Sequence, residues 1–133
     1  MNAKCRMQNV MENDKNKFKE EFTQRLIDFS LNTIRLCREY KQDSIYWSII
    51  DQLIRSATSI GANVTEARAA SSMRDYIKFF EIALKSAYET KYWYILLKNM
   101  KDKPDDEVDK MLTEVEEIRK VLTSAVLTMK GRK

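Results

Sequence analysis

Hydrophobic residues recur along this chain with the spacing of amphipathic helices. Over residues 16–41 the apolar side chains follow one another mostly at intervals of three and four, which places them on one helical face. The same spacing returns over 44–70, 73–100 and 104–129. Four long helices joined by short connections are typical of an up-down-up-down bundle. The sequence therefore predicts an all-α, antiparallel four-helix bundle.

Polar residues at the ends of these segments support the predicted boundaries. Asp43 or Ser44 is placed to cap the second helix, and Ser72 is placed to cap the third. Pro104 and the acidic residues after it suit the first turn of the fourth helix. Gly131 suits its end.

The composition agrees with one helical domain. The chain has 133 residues, and 44% of them are hydrophobic. It contains only two glycines and one proline, which are too few for the turns of a sheet protein with many hairpins. Residues 1–14 are polar and aperiodic, so we expect a flexible N-terminal tail followed by a single bundle domain over 15–133. Neither a signal peptide nor a membrane span is recognisable, and Cys5 and Cys37 do not form a disulfide framework. We expect a cytoplasmic protein.

Much common site chemistry is excluded by the absence of histidine. A di-metal carboxylate bundle needs Glu-x-x-His pairs, and a zinc site needs more than two distant cysteines. No P-loop or dinucleotide-binding glycine motif is present. The sequence therefore predicts no catalytic residue, no metal and no cofactor.

The third helix is more apolar than one corner of a bundle requires. On a helical wheel its apolar residues cover an arc of about 240°, whereas a corner helix needs a stripe of little over 100°. Large exposed apolar patches usually mark interfaces. We expect a homo-oligomer that uses this helix; the alternative is a thick core with partly exposed tyrosines.

Polar side chains lie beside the apolar stripes of the second and third helices. Asn63 and Glu66 lie on one helix, and Ser86 and Glu89 lie on the other. Because unpartnered polar groups in a packed seam are costly, an inter-helix hydrogen-bond network is the structural interpretation. The functional alternative is a small polar pocket in which Glu66 or Glu89 acts as an acid or base.

The run QLIRSATSIGANVTEA, from Gln52 to Ala67, and the run DYIKFFEIALKSAYETKYWYILL, from Asp75 to Leu97, together carry a family resemblance. The chain resembles the four-helix bundle proteins encoded in intervening sequences of bacterial 23S ribosomal RNA, and accessory proteins of diversity-generating retroelements are similar. The resemblance covers residues 18–127. Its marks are Gln52, Arg55, Ser56, Ser59, Ile60, Asn63 and Glu66, followed by Ile82, Ala83, Ser86 and Glu89.

This resemblance implies an antiparallel four-helix bundle that often assembles as a barrel-like homopentamer. Members of the family are suspected of binding RNA. The retroelement accessory proteins bind RNA and a reverse transcriptase through basic surfaces. The resemblance implies no catalytic residues.

The net charge of +4 is weak for a nucleic-acid-binding protein, but a ring of protomers would multiply it. The leading hypothesis is a non-enzymatic homo-oligomer that binds structured RNA, such as ribosomal RNA, or an RNA–protein complex through basic helix faces. The basic residues could instead be solvated helix faces. The candidate phosphate-binding residues are Arg35, Arg38, Lys41, Arg55, Arg68, Arg74, Lys78, Lys85, Lys91, Lys98 and Lys101.

Two other functions remain open at the level of sequence. One is a protein-interaction scaffold with a protein partner and no role in nucleic-acid binding; its binding would depend less on salt. The other is a small helical enzyme that works without histidine, with Arg, Lys and Glu converging on a compact anionic substrate, as in a chorismate-mutase-like site. That enzyme would need a buried cluster of cations beside Glu66 or Glu89.

Overall fold

The computed structural model describes residues 2–40, 44–100 and 103–131. Each helix packs against the next one along the chain, and the first also contacts the last. The result is the predicted antiparallel four-helix bundle, and the described residues contain no strand. The helices are α1 (Ala3–Cys37), α2 (Ser44–Arg68), α3 (Met73–Met100) and α4 (Asp106–Met129).

The core is formed by the apolar stripes that the sequence pattern places on each helix. Leu53 and Ile60 of α2 and Ile118 and Leu122 of α4 are completely buried. Burial of one such side chain stabilises the fold by about 1.5–3 kcal/mol. Within the described residues, no helix is long and apolar enough to cross a membrane.

A buried hydroxyl pair joins the diagonal helices α1 and α3 through the middle of this core. The hydroxyl oxygens of Thr33 and Tyr94 lie 2.6 Å apart, and both residues are fully buried. The ring of Phe29 meets the Tyr94 ring edge to face at 6.3 Å. Burial raises the pKa of Tyr94 above its ordinary value, so the phenol stays protonated and able to donate.

Side-chain caps fix two helix starts. Ser72 Oγ accepts the backbone N–H of Asp75 at 3.1 Å, as predicted for α3. Asp105 caps α4, because its backbone is extended and its carboxylate accepts the N–H groups of Glu107 and Val108. Pro104, predicted in the first turn of α4, instead precedes this cap. Ser44 is the first residue of α2, and Asp43 lies outside the described residues.

Helix α1 begins much earlier than the apolar pattern predicts. Asn2 Oδ1 accepts the N–H of Cys5 at 2.9 Å and so caps a helix that starts at Ala3. Residues 3–14, predicted as a flexible tail, are helical and exposed. Their mobility stays a prediction. Phe18, which the pattern places in the core stripe, is 59% exposed because the bundle does not cover this part of α1.

Candidate nucleic-acid interface

Three basic side chains form a line along the outward face of α3. Arg74, Lys78 and Lys85 are all exposed, and their spacing of four and seven residues keeps them on one side of the helix. None of them forms a hydrogen bond or ion pair with a residue that the structure describes. These side chains are therefore available to an external anion. We call this set the α3 basic line.

Two exposed tyrosines continue the same surface. Tyr92 is 55% exposed and lies seven residues beyond Lys85; its ring meets the ring of Trp93 edge to face at 5.1 Å. Tyr88 is 52% exposed, and the Arg119 guanidinium lies 5.5 Å from its ring centroid. Cations interleaved with exposed aromatic rings provide phosphate contacts and stacking surfaces for bases.

Lys91, another predicted phosphate contact on α3, is held by α4 instead. Its Nζ lies 3.0 Å from Glu116 Oε2, and Arg119 Nε donates to the other carboxylate oxygen at 2.8 Å. These hydrogen bonds, with that from Arg119 the larger cause, lower the pKa of Glu116 to about 2. Glu116 therefore stays ionised and neutralises one of its two cations.

Two more predicted contacts are also paired within the chain. Lys98 Nζ lies 2.7 Å from an Asp109 oxygen of α4, and Arg55 Nε lies 3.0 Å from an Asp51 oxygen one turn earlier on α2. The sequence could not separate Lys98 from the α3 basic line, because its α4 carboxylate is distant in the chain, whereas Asp51 lies only four residues before Arg55. Pairing leaves them less available to phosphate.

Arg68 has a structural position near the end of α2. Its two terminal nitrogens donate to the Tyr76 hydroxyl at 3.4 Å and to the Lys19 carbonyl at 3.3 Å. Its Nε is buried and has no partner among the described residues. Arg68 therefore joins α2 to α1 and α3 and does not extend the α3 basic line.

The remaining predicted basic residues lie elsewhere or outside the description. Arg35 is exposed on α1, and Arg38 is exposed as the C-cap of that helix. Helix α1 is diagonal to α3, and Arg35 donates to Asn32 at 3.4 Å. Lys41 and Lys101 lie outside the described residues. The structure thus brings together three of the predicted contacts on one helix face and separates the other described ones from them.

The predicted polar network forms only in part. Ser59 Oγ and Ser86 Oγ lie 2.9 Å apart across the α2–α3 seam, and the Asn63 amide donates to Ser59 Oγ at 3.0 Å. Glu66 and Glu89 are exposed, and their carboxylates form no hydrogen bond with a described residue. The predicted pairing of the two carboxylates with Asn63 and Ser86 is therefore replaced by a link through Ser59.

A second polar contact in this seam is absent from the prediction. Thr90 is buried, and its Oγ1 lies 3.0 Å from the Oγ of buried Ser56 and 2.7 Å from the carbonyl oxygen of Ser86. The sequence does contain a signal for this contact, because small hydroxyl residues recur there at helical spacing. Ser56 lies three residues before Ser59 on α2, and Ser86 lies four residues before Thr90 on α3. Small side chains at these positions let α2 and α3 approach closely.

An almost uncharged surface lies between α1 and α2, where the sequence did not direct attention. Ile27, Leu31 and Trp47 are 46%, 41% and 58% exposed there. Two shallow clefts of about 270 and 200 Å³ follow each other along this face. Apart from Arg38, all the residues that line them are uncharged. We call this surface the α1–α2 apolar face.

Neither cysteine belongs to a cluster of potential metal ligands in the described part of the chain. Residues 2–40, 44–100 and 103–131 contain no group of three or more potential metal ligands. Cys37 is buried, and desolvation raises its pKa to about 11, which keeps the thiol protonated and unreactive at neutral pH. Cys5 is exposed near the start of α1.

The comparisons with known proteins agree with this fold. A crystal structure of a protein with unknown function from the S23 ribosomal protein family of Bacteroides thetaiotaomicron is similar, with a TM-score of 0.71 and 32% sequence identity. The similarity covers 79% of this chain and 97% of that one. No curated protein sequence matches the chain. Residues 19–124 match the family described as 23S rRNA-intervening sequence protein, and the chain belongs to that family.

Proposed function

We propose that this protein is a non-enzymatic homo-oligomer that binds structured RNA through the outward face of α3. The observation that carries the proposal is the α3 basic line, in which Arg74, Lys78 and Lys85 are exposed and unpaired among the described residues. Phosphate contacts of this kind supply affinity without sequence readout. The exposed rings of Tyr88 and Tyr92 add stacking surface beside them.

Self-association is assigned to the α1–α2 apolar face. The exposed apolar residues of α3, such as Ile82 and Tyr92, alternate with Lys78 and Lys85, whereas the α1–α2 face is almost uncharged. Charge is depleted at the centre of stable interfaces. Leaving α3 outside the interface also repeats its basic line around the assembly, and the homopentamer implied by the family resemblance would present five copies.

A matched pair of variants tests the RNA interface. Lys78→Gln/Lys85→Gln removes two unpaired cations, and Lys91→Gln/Lys98→Gln removes the same charge from the same helix at ion-paired positions. RNA affinity is measured with a labelled structured RNA as a function of salt. The first variant should reduce the slope of log K against log salt by about 1–2, since each lost phosphate contact contributes about 0.7–0.9. The Lys91→Gln/Lys98→Gln variant should change the slope much less. Equal changes of slope in the two variants would contradict the assignment of the RNA interface to the α3 basic line.

The proposed self-association surface has its own test. Leu31→Glu places a charge in the α1–α2 apolar face, and Asn32→Glu places the same charge on the neighbouring exposed position. Sedimentation analysis should show a smaller assembly for the first variant and the native size for the second. If Ile82→Glu on α3 dissociates the assembly while Leu31→Glu does not, the interface lies on α3, as the helical wheel predicts.

The observations also favour a non-enzymatic function over the small helical enzyme considered from the sequence. That enzyme requires cations converging on Glu66 or Glu89 in a buried pocket. Both carboxylates are exposed, and neither pairs with a cation among the described residues.

A protein-interaction scaffold is the second candidate function, favoured by the same α1–α2 apolar face. In that case the apolar clefts would hold a helix of another protein. Salt distinguishes the two functions, because binding to phosphates weakens steeply with ionic strength and apolar helix-groove contacts do not.

A further inference from the structure

The outward face of α3 changes in character along the helix. Its first half carries the α3 basic line, which runs from Arg74 to Lys85. Its second half carries uncharged side chains, of which Tyr88, Tyr92 and Ile95 are 52%, 55% and 41% exposed. At 1.5 Å per residue, the face from Arg74 to Tyr92 is about 27 Å long. We call Tyr88, Tyr92 and Ile95 the α3 aromatic patch.

The charges around the α3 aromatic patch disfavour phosphate. The cations that follow Lys85 in the described part of α3 are Lys91 and Lys98, and carboxylates of α4 hold both of them. Glu89 lies three residues before Tyr92; it is exposed, and its carboxylate forms no hydrogen bond with a described residue. An unpaired carboxylate repels a phosphate group. This half of the face therefore suits the uncharged rings of nucleobases better than the RNA backbone.

The first half of the face keeps its positive charge in spite of a carboxylate within it. Glu81 lies between Lys78 and Lys85 in the chain, but it is already paired with Lys130, whose Nζ lies 3.4 Å from Glu81 Oε2. Lys78 and Lys85 therefore stay unpaired among the described residues. Contacts to phosphate are expected in this half of the face, and contacts to bases are expected in the other half.

The ring of Tyr88 is held in place by α4. The Arg119 guanidinium lies 5.5 Å from the ring centroid, and its Nη1 donates to the Tyr88 hydroxyl at 3.3 Å. Glu116 anchors this guanidinium, because its Oε1 accepts a hydrogen bond from Arg119 Nε at 2.8 Å. A ring that is fixed before binding loses little conformational entropy when a base stacks on it. The exposed half of the Tyr88 side chain is open to such a base.

We propose that the α3 aromatic patch binds unpaired bases of an RNA whose phosphates lie on the α3 basic line. This inference rests on the proposed RNA binding and names the class of RNA: a single-stranded segment, such as a hairpin loop, and not a continuous duplex. The bases of a duplex are paired and stacked on each other, so their flat faces cannot reach tyrosine rings on an exposed helix. An unpaired strand can turn its bases towards those rings.

Two labelled RNA hairpins with the same stem and the same number of phosphates test this inference. One hairpin has a loop of ordinary nucleotides, and the loop nucleotides of the other are abasic. The native protein should bind the ordinary hairpin about tenfold more tightly, because stacking of a single base on an aromatic side chain contributes about that factor. Both affinities should fall with salt at the same slope, since the two hairpins present the same phosphates.

Three variants assign the preference to the tyrosine rings. Tyr88→Ala/Tyr92→Ala should bring the ratio of the two affinities close to one, whereas Tyr88→Phe/Tyr92→Phe keeps the rings and should keep the native ratio. Lys78→Gln/Lys85→Gln should weaken binding of both hairpins alike and leave the ratio unchanged. The ratio is the decisive quantity, because release of Arg119 by the alanine variant changes phosphate affinity equally for both hairpins.

The outcomes separate this inference from the proposed function. If the native protein binds the two hairpins equally, the inference is overturned and the proposed RNA binding stands. A native ratio in Tyr88→Ala/Tyr92→Ala would also overturn the inference, because the bases would then be bound elsewhere. If the native protein binds neither hairpin at low salt, the proposed RNA binding fails, and the inference fails with it.

Discussion

Substitutions at the buried pair of Thr33 and Tyr94 give a quantitative test of the core. Thr33→Val preserves shape but removes the hydroxyl 2.6 Å from the Tyr94 phenol, which forms no other hydrogen bond with the described residues. The phenol is then buried without a partner, and the variant should lose about 1–3 kcal/mol of unfolding free energy. The loss is large because both residues are fully buried and no water reaches the site.

Tyr94→Phe should cost less than Thr33→Val. The threonine hydroxyl that remains can turn to the carbonyl of the residue four positions earlier in α1, so the loss should be about 0.5–1.5 kcal/mol. In the combined variant both polar groups are gone and the shape is kept, so most of the penalty should disappear. The coupling free energy between the two substitutions is expected to be about 1–2 kcal/mol.

Urea unfolding at one fixed protein concentration measures these differences. With a slope of about 2 kcal/mol per molar urea, Thr33→Val should lower the midpoint by about 0.5–1.5 M. A fixed concentration is needed because self-association also stabilises the folded chain. If the combined variant loses the sum of the two single losses, the hydroxyl pair does not exist as described.

Three further predictions concern pH, capping and charge release. Because the folded pKa of Cys37 is raised to about 11, its contribution to stability is present below pH 9 and lost as pH rises towards 11; Cys37→Ala should flatten this part of a stability–pH curve. Asp105→Ala removes the cap of α4 and should cost about 1 kcal/mol in urea unfolding, whereas Asp106→Ala should cost less. Glu116→Gln frees Lys91 and Arg119 from their shared carboxylate, so RNA affinity at low salt should rise. An unchanged RNA affinity would contradict the view that Glu116 holds these two cations back from RNA.

The fold could be predicted from the sequence because each helix and its ends are specified by residues that lie close together in the chain. Apolar spacing fixes each helix face, and Ser72 and Gly131 mark ends that the structure confirms to within a residue or two. The start of α1 was not predicted because its first turns are exposed, so they need no apolar stripe facing the core of the bundle. Its Asn2 cap is a single polar residue within a polar segment.

The candidate site was harder to predict because pairing depends on neighbours that are distant in the chain. On α3, Lys85 and Lys91 look equivalent in the sequence, yet only Lys91 meets a carboxylate of α4. Glu66 and Glu89 share the spacing of the seam residues but point to solvent, since the shorter side chains of Ser59 and Ser86 already close the contact. Such distinctions require the relative rotation of whole helices.

A salt titration of RNA binding by the native protein tests the phosphate-binding face of α3 most directly. Nuclease-treated protein is titrated against a labelled structured RNA from low to physiological salt. We expect micromolar or tighter binding at low salt, with log K falling linearly as log salt rises. Absence of binding at low salt, or an affinity independent of salt, would contradict a phosphate-binding face on α3.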